Sequence, residues 1–586
     1  MGGDTLILGL CGIILIIFIL IAAFGNNFSL NGIKRKSVGD GQHGTARFAA
    51  KGEIKQELKI VPYEPEEWRL KKQPPVKDGL ILGMERRGRK YYALVDTKDN
   101  HTLINAAPGG GKTTRFTYPN IEFTCACGTC FFATDTKGDV QDRYAFIAEQ
   151  YYGYHCTVID FSNPLRSDCW NLLSIVNKYI ARYQMTGNVS MMAKAEKSAK
   201  ITAGSIIGKT DMGSNSFFYQ AAEGLIAGII LLIAEFAKPE ESHIVSVFKI
   251  TLELISEKPK KGEKMYLCKL FEKLPPEHKA RWLASSAVYS PNESMFNVIS
   301  TAISRMLSFI DSETEQILCF DSKYDFDGFD RGKNAVFINV PEEDKNKHFL
   351  LSLIVEQTYG ELLRMAGENR NVLHKRVRYF LDEFGTMPPI NNIGSMFSAG
   401  RSRGILLCPS VQELAQLGLR YGNEEKTNIL GCCQNVLAGG FSPLSEAAKE
   451  ISNALDKTTV QSGSVSAGGG VNARNSRSLQ MVSRPLMIPD ELKNMPKGDF
   501  ICMKSGMHPF RTHLEYYEDL GISFPKLRET QENAVRTVKY ANLKEIEAAI
   551  NKKYGCREAA LIPEDEPELS RQAHSIPKRD PNVWNM

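Results

Sequence analysis

The segment Leu103–Thr114, LINAAPGGGKTT, constrains this chain more than any other. Two aliphatic residues of a buried strand lead into a turn of three glycines, and Lys112 and Thr113 then open a helix. Strand, glycine-rich turn and helix in that order make a phosphate-binding loop. Successive backbone N–H groups wrap the β- and γ-phosphates, the lysine reaches the same oxygens, and the following hydroxyl holds Mg²⁺. The helix N-terminus adds partial positive charge behind the phosphates. The spacing therefore assigns Pro108, Gly109, Gly110, Gly111, Lys112, Thr113 and Thr114 to nucleotide binding, with ATP and Mg²⁺ as the expected ligands. Ala106 stands where the usual pattern begins with Gly, and is small enough for a tight turn.

Such a loop needs an acidic partner. Val377–Phe384, VRYFLDEF, is an apolar strand ending in Asp382 and Glu383. In hydrolytic motors the first carboxylate orients Mg²⁺ through its water and the second polarises the attacking water. Loop and acidic pair together predict an ATPase rather than a passive nucleotide binder.

With 586 residues, 43% of them hydrophobic and 24% charged, the chain has the length and composition for a large core and more than one domain. A net charge of +5 is too mild to indicate nucleic-acid binding by itself, and the basic runs at 34–36 and 86–90 read first as solvated faces. Thr5–Phe24 carries no charge and is long enough to cross a hydrocarbon core of about 30 Å. Only Asp4 precedes it, whereas Lys34, Arg35 and Lys36 follow. The positive-inside rule then predicts a single-pass anchor in the cell membrane, with the N-terminus outside and the bulk of the chain cytoplasmic. GLIAGIILLIA at 224–234 is bracketed by Glu223 and Glu235, too short to span, and reads as a core helix. Cys125, Cys127 and Cys130 lack a fourth ligand at matching spacing, so they and the vicinal Cys432 and Cys433 read as packing residues of a reduced compartment.

Strand-like runs at 79–83, 91–95, 127–135, 155–162, 333–341, 404–414 and 435–441 alternate with helical stretches, the signature of an α/β fold with a parallel sheet covered by helices. Between 176 and 325 the period becomes helical throughout. The expected organisation is a transmembrane anchor (1–30), a discontinuous nucleotide-binding domain (31–175 and 326–525), an all-helical domain (176–325) and a loosely attached polar tail (526–586). SGSVSAGGGVNARNSRS at 462–478 reads as a mobile loop, with Arg474 and Arg477 as candidate DNA contacts.

In order and spacing, these motifs resemble the type IV secretion coupling proteins, the TraG/VirD4 family of conjugation ATPases. The resemblance rests on HGTARFA (43–49), APGGGKTT with TYPNI behind it, DTKGD (135–139), CWNLL (169–173), SFFYQAAEGL (216–225) and AVFINVPEED (335–344). It continues through FLDEFGTMPPI (380–390), AGRSRGI (399–405), VQELAQL (411–417) and RPLMIPDEL (484–492). It implies a RecA-like P-loop NTPase motor domain with an all-helical insertion, assembled as a homo-hexamer around a channel. It further implies delivery of single-stranded DNA bound to a relaxase, or of protein cargo, to type IV secretion channel proteins at the membrane. By resemblance Asp382 is the Mg²⁺ residue, Glu383 the catalytic carboxylate, Gln412 a sensor of the γ-phosphate or water, and Arg401 a finger reaching a neighbouring subunit's nucleotide, with Arg403 the competing choice. Two departures stand out: one membrane span where the family often has two, and Thr136 where it more often has Pro. An FtsK-like chromosomal translocase and an ATP-regulated membrane scaffold are the competing readings.

Overall fold

The computed structural model describes residues 41–555, apart from 73, 76, 209–215, 256–262, 308–309, 323, 325, 342, 345–346, 388, 467–475 and 529–531. The expected anchor over 1–30 and Arg474 lie outside the described residues.

Seven strands form the parallel half of one large sheet. They are β4 (His101–Asn105), β5 (Cys130–Asp135), β6 (His155–Asp160), β7 (Asn334–Asn339), β8 (Val377–Leu381), β9 (Ile405–Val411) and β10 (Cys433–Gly439). Five antiparallel strands extend it: β1 (Lys59–Pro62), β2 (Leu80–Arg87), β3 (Lys90–Asp96), β13 (Asp499–Lys504) and β14 (Phe510–His513). The strand order is β1-β3-β2-β14-β13-β10-β4-β9-β8-β5-β7-β6. Helices cover both faces, so the central strands are buried throughout and read as continuous apolar runs. Alternation is still visible in the packing. Leu103 and Phe132 join the core on one face, Ile104 and Phe131 the core on the other. Within the antiparallel half a buried ion pair joins β13 to β3, with the Lys504 ammonium donating to Asp96 Oδ2 at 2.8 Å. The Asn435 amide on β10 donates to the same oxygen at 2.8 Å. Removing one partner from such a pair costs about 3–5 kcal/mol, because the other is left charged and dry.

Between β6 and β7 lies a helical layer built around Ser216–Phe236. That helix is long and apolar enough to cross a membrane, yet Leu225–Ile233 is buried inside the protein. Gly224 and Gly228 allow the close approach: a Cβ on them would lie 2.5 Å from the Leu283 carbonyl oxygen and 2.9 Å from that of Ala280. The stretch 224–234 is thus a core helix.

Two expectations are corrected. The Gly/Ser-rich stretch at 462–478 is strand at both ends, because β11 (Lys457–Ser466) pairs antiparallel with β12 (Ser476–Pro485) over their full lengths. Thr and Val recurring along Lys457–Val465 favour an extended backbone despite the glycines. The HGTARFA segment lies on this hairpin, with the His43 N–H donating to Thr459 Oγ1 at 3.0 Å and Thr45 bridging Thr458. The described residues between 532 and 555 are not loose. The Asn533 N–H donates to the Leu165 carbonyl at 2.8 Å, Arg536 stacks on Phe320, and helix Leu543–Tyr554 buries Leu543, Ile546 and Ile550 against the helical layer. Three apolar residues at helical spacing inside a polar stretch explain the docking.

Candidate nucleotide site

All seven parallel strands end on the same edge, where α/β sheets carry their ligands. β9 separates β4 from β8, so the loop after β9 sits between the phosphate loop and the acidic pair.

After Asn105 the chain turns over this edge. The Ala106 N–H donates to the Val411 carbonyl at 3.1 Å, that of Ala107 to Gly440 at 3.2 Å, and that of Gly110 back to Ala107 at 2.9 Å. Gly109 and Gly111 adopt left-handed backbones, with φ of +73° and +98°, which L side chains rarely take. A Cβ on Gly110 would lie 2.9 Å from the Ala107 carbonyl oxygen and 3.1 Å from the Ala106 methyl. Ala106 is fully buried against this turn, so the missing first glycine leaves the turn intact. Lys112–Thr117 forms a wide helical turn that runs into helix Tyr118–Cys127.

Lys112 is 6% exposed, and its ammonium has no hydrogen-bond acceptor among the described residues. Its nearest anion is Glu383, with Nζ 3.5 Å from Oε1. A buried ammonium with an ion pair but no hydrogen bond keeps its donors unsatisfied, and phosphate oxygens are acceptors that suit them. The Thr113 hydroxyl donates to Asp382 Oδ2 at 3.3 Å, and the Ser410 hydroxyl to Oδ1 at 3.0 Å. Burial, with Glu383 and Asp135 nearby, pushes the Asp382 carboxyl up to about 6, while Lys112 and Ser410 pull it back. A half-buried carboxylate beside a threonine hydroxyl suits a hard divalent cation such as Mg²⁺. The residues present therefore fit both groups.

Glu383 has φ of +50°, a left-handed backbone in a non-glycine residue and a local strain common at functional positions. Its Oε2 accepts from the Gln412 amide at 2.9 Å, and the Phe384 N–H donates to the Ser410 carbonyl at 2.9 Å. The Asn105 amide holds the Gln412 carbonyl at 3.2 Å. Lys112, Thr113, Asp382, Glu383 and Gln412 thus meet on one edge, although 300 residues separate the first from the last.

Arg401 is not brought there. Helix Ile393–Gly400 ends in the turn Arg401–Arg403, which precedes β9 and so lies at the opposite edge of the sheet, near His101 at the start of β4. Arg401 is exposed and makes no side-chain hydrogen bond or ion pair among the described residues, whereas Arg403 donates to the Ala399 carbonyl at 2.8 Å. Asp135 of the DTKGD segment accepts from the Lys137 and Val140 N–H groups at 3.0 and 2.7 Å, the second of them in the first turn of helix Asp139–Gln150. Ser410, Asn105 and His101 escaped the sequence reading. His101 braces the sheet, with Nε2 bonded to the Phe397 carbonyl at 2.8 Å and Nδ1 accepting the Leu407 N–H at 2.9 Å.

A phosphate loop and an acidic pair at the C-terminal edge of a mostly parallel sheet, with a helical layer inserted between strands, define a RecA-like P-loop NTPase. The chain belongs to the type IV secretory system conjugative DNA transfer family, whose model matches residues 49–551. Conjugal transfer protein TraG of Escherichia coli is 23% identical over 482 residues, covering 78% of this chain and 71% of that protein. Among solved structures, the plasmid coupling protein TrwB in complex with the non-hydrolysable ATP analogue ADPNP aligns with a TM-score of 0.54 at 12% identity, covering 84% of this chain and 99% of that chain. TrwB in complex with ADP and Mg²⁺ aligns with a TM-score of 0.53 at 13% identity, covering 83% of this chain and 98% of that one. At such identities the likeness is one of fold.

Proposed function

We propose that this chain is the membrane-anchored ATPase that couples a DNA–relaxase substrate to a type IV secretion channel and drives its transfer by ATP hydrolysis. The convergence of Lys112, Thr113, Asp382, Glu383 and Gln412 on one sheet edge carries the reading. The loop N–H groups and Lys112 bind the phosphate oxygens, and Thr113 and Asp382 hold Mg²⁺, which when bound neutralises charge on those oxygens. Glu383 takes the proton of the attacking water, and Gln412, hydrogen-bonded to Glu383, fixes where that carboxylate points. Binding of an ATP analogue and of ADP with Mg²⁺ by TrwB supports ATP and Mg²⁺ as the ligands.

Arg401 lies at the sheet edge opposite its own phosphate loop, so its role as a finger belongs to the site of the next copy in a homo-hexamer. The segment Thr5–Phe24 anchors the assembly in the cell membrane, single-pass, with the described body cytoplasmic. The conjugative family match favours this reading over a chromosomal translocase. ATP turnover measured with and without single-stranded DNA tests the DNA cargo: a DNA motor is stimulated, whereas a scaffold that uses ATP only for assembly is indifferent. DNA binding by the chain lacking residues 1–30 should also weaken steeply as salt rises, because each neutralised phosphate releases counterions.

A further inference from the structure

Gln416 stands in the first turn of helix Ala415–Tyr421, just after β9. Its Oε1 accepts two backbone N–H groups from the preceding loop, those of Gln412 at 3.1 Å and Glu413 at 3.2 Å. With the Gln412 carbonyl held by Asn105, both backbone polar groups of Gln412 are fixed by side chains, those of Asn105 and Gln416. The same Gln416 side chain lies against Gly385, two residues beyond Glu383. A Cβ on Gly385 would lie 2.4 Å from Gln416 Oε1 and 2.9 Å from Gln416 Cβ. Gly385 does not have a left-handed backbone, so its lack of a side chain serves this close approach rather than a turn.

We propose that Gln416 is a positioning residue for ATP hydrolysis: it clamps the loop carrying Gln412 against the loop carrying Glu383, and so sets the Gln412–Glu383 hydrogen bond. A contact that only started helix Ala415–Tyr421 would need the two N–H groups but not the glycine opposite. Gln416 touches neither Glu383 nor Lys112 through any hydrogen bond among the described residues, so it acts through Gln412. A displacement of about 1 Å in such a bond can cost on the order of 10²-fold in rate without touching ground-state binding. The inference rests on the ATPase reading above.

The test compares Gln416→Met, which keeps the length of the side chain but loses the acceptor, with Gln416→Glu, which keeps an acceptor for both N–H groups. Two quantities are measured on the full chain in detergent: steady-state ATP turnover, and hydrogen exchange of the 412–413 amides without nucleotide. Gln416→Met should lower kcat about 10- to 100-fold at unchanged affinity for a fluorescent ATP analogue, and should speed exchange of both amides. Gln416→Glu should restore amide protection and most of kcat. Gly385→Ala, which pushes a methyl into the clamp, should lower kcat similarly, and the double variant Gly385→Ala/Gln416→Met should be no worse than either alone. Wild-type kcat in a folded Gln416→Met protein, unchanged amide exchange, or additive losses in the double variant would overturn the inference. If Gln416→Met fails to fold, Gly385→Ala and Gln416→Glu carry the same comparison. A wild-type chain with no turnover but with protection of the 412–413 amides lost in Gln416→Met would place the failure in the ATPase reading instead.

Discussion

Replacing Lys112 by Met keeps most of the buried stem and removes the charge, which separates the residue's structural from its chemical contribution. Attraction between its ammonium and Glu383 at 3.5 Å is worth about 5 kcal/mol at an effective dielectric of ~20. Against this stands the desolvation of an ammonium whose side chain is 7% exposed, a cost of several kcal/mol. No hydrogen bond is lost, since the ammonium makes none among the described residues. Glu383 is 17% exposed and keeps its bond from Gln412, so it is not stranded. The two large numbers nearly cancel, and Lys112→Met should change folding stability by no more than about 2 kcal/mol in either direction. Turnover, by contrast, should fall below detection, because the loop's own lysine no longer reaches the phosphate oxygens. Chemical denaturation followed by tryptophan fluorescence reads the first quantity, and phosphate release reads the second. A loss of more than about 4 kcal/mol would show that the Lys112–Glu383 pair is structural. Near wild-type turnover in the folded variant would refute the phosphate-loop assignment.

The remaining predictions are more local. Asp382→Asn leaves one acceptor oxygen for the Thr113 and Ser410 hydroxyls, and should raise the Mg²⁺ concentration needed for half-maximal ATP binding by about 10-fold or more. In the unaltered chain Mg²⁺-dependent binding should strengthen as pH rises through about 6, where the Asp382 carboxyl loses its proton; binding flat from pH 5 to 8 would contradict this. Arg401→Ala should lower turnover by roughly 10³-fold with little change in ATP affinity, and mixing it with Lys112→Ala subunits should recover part of the activity. No recovery in demonstrably mixed hexamers would place Arg401 in its own subunit's structure. Burial, joined by the charge of Arg401, drives the His101 imidazole from 6.5 down to about 4. The unfolded chain therefore takes up a proton between pH 6.5 and 4 that the folded chain refuses. Stability should fall by about 3 kcal/mol as pH drops through that window, and His101→Gln should flatten this part of the pH–stability curve.

The nucleotide-binding half of the site was legible because its chemistry is local. Glycines, lysine and threonine follow one another along the chain, and the acidic pair ends an obvious strand. The α/β class and the helical stretch were legible too, since runs such as CFFATD and ILLCPSV declare buried strands and Ser216–Phe236 a buried helix. Ser410 and Asn105 were not, because their roles depend on β9 lying between β4 and β8, an order that strand sequence does not encode. His101 was invisible for the same reason: its two partners lie about 300 residues away. The hairpin β11–β12 was misread because its glycines and serines mimic a linker, while its extended pairing is a tertiary fact. The docked tail was misread because three apolar residues weigh little in a composition average but suffice to seat one helix.

The most direct test of the central claim is single-turnover hydrolysis by Glu383→Gln. An amide there cannot accept the proton of the attacking water, while Lys112, Thr113 and Asp382 remain in place. The variant should retain ATP with Mg²⁺ through gel filtration at wild-type affinity and leave it intact over minutes. Hydrolysis at the wild-type rate, or failure of the folded variant to hold ATP at all, would contradict the account of this sheet edge as a hydrolytic site.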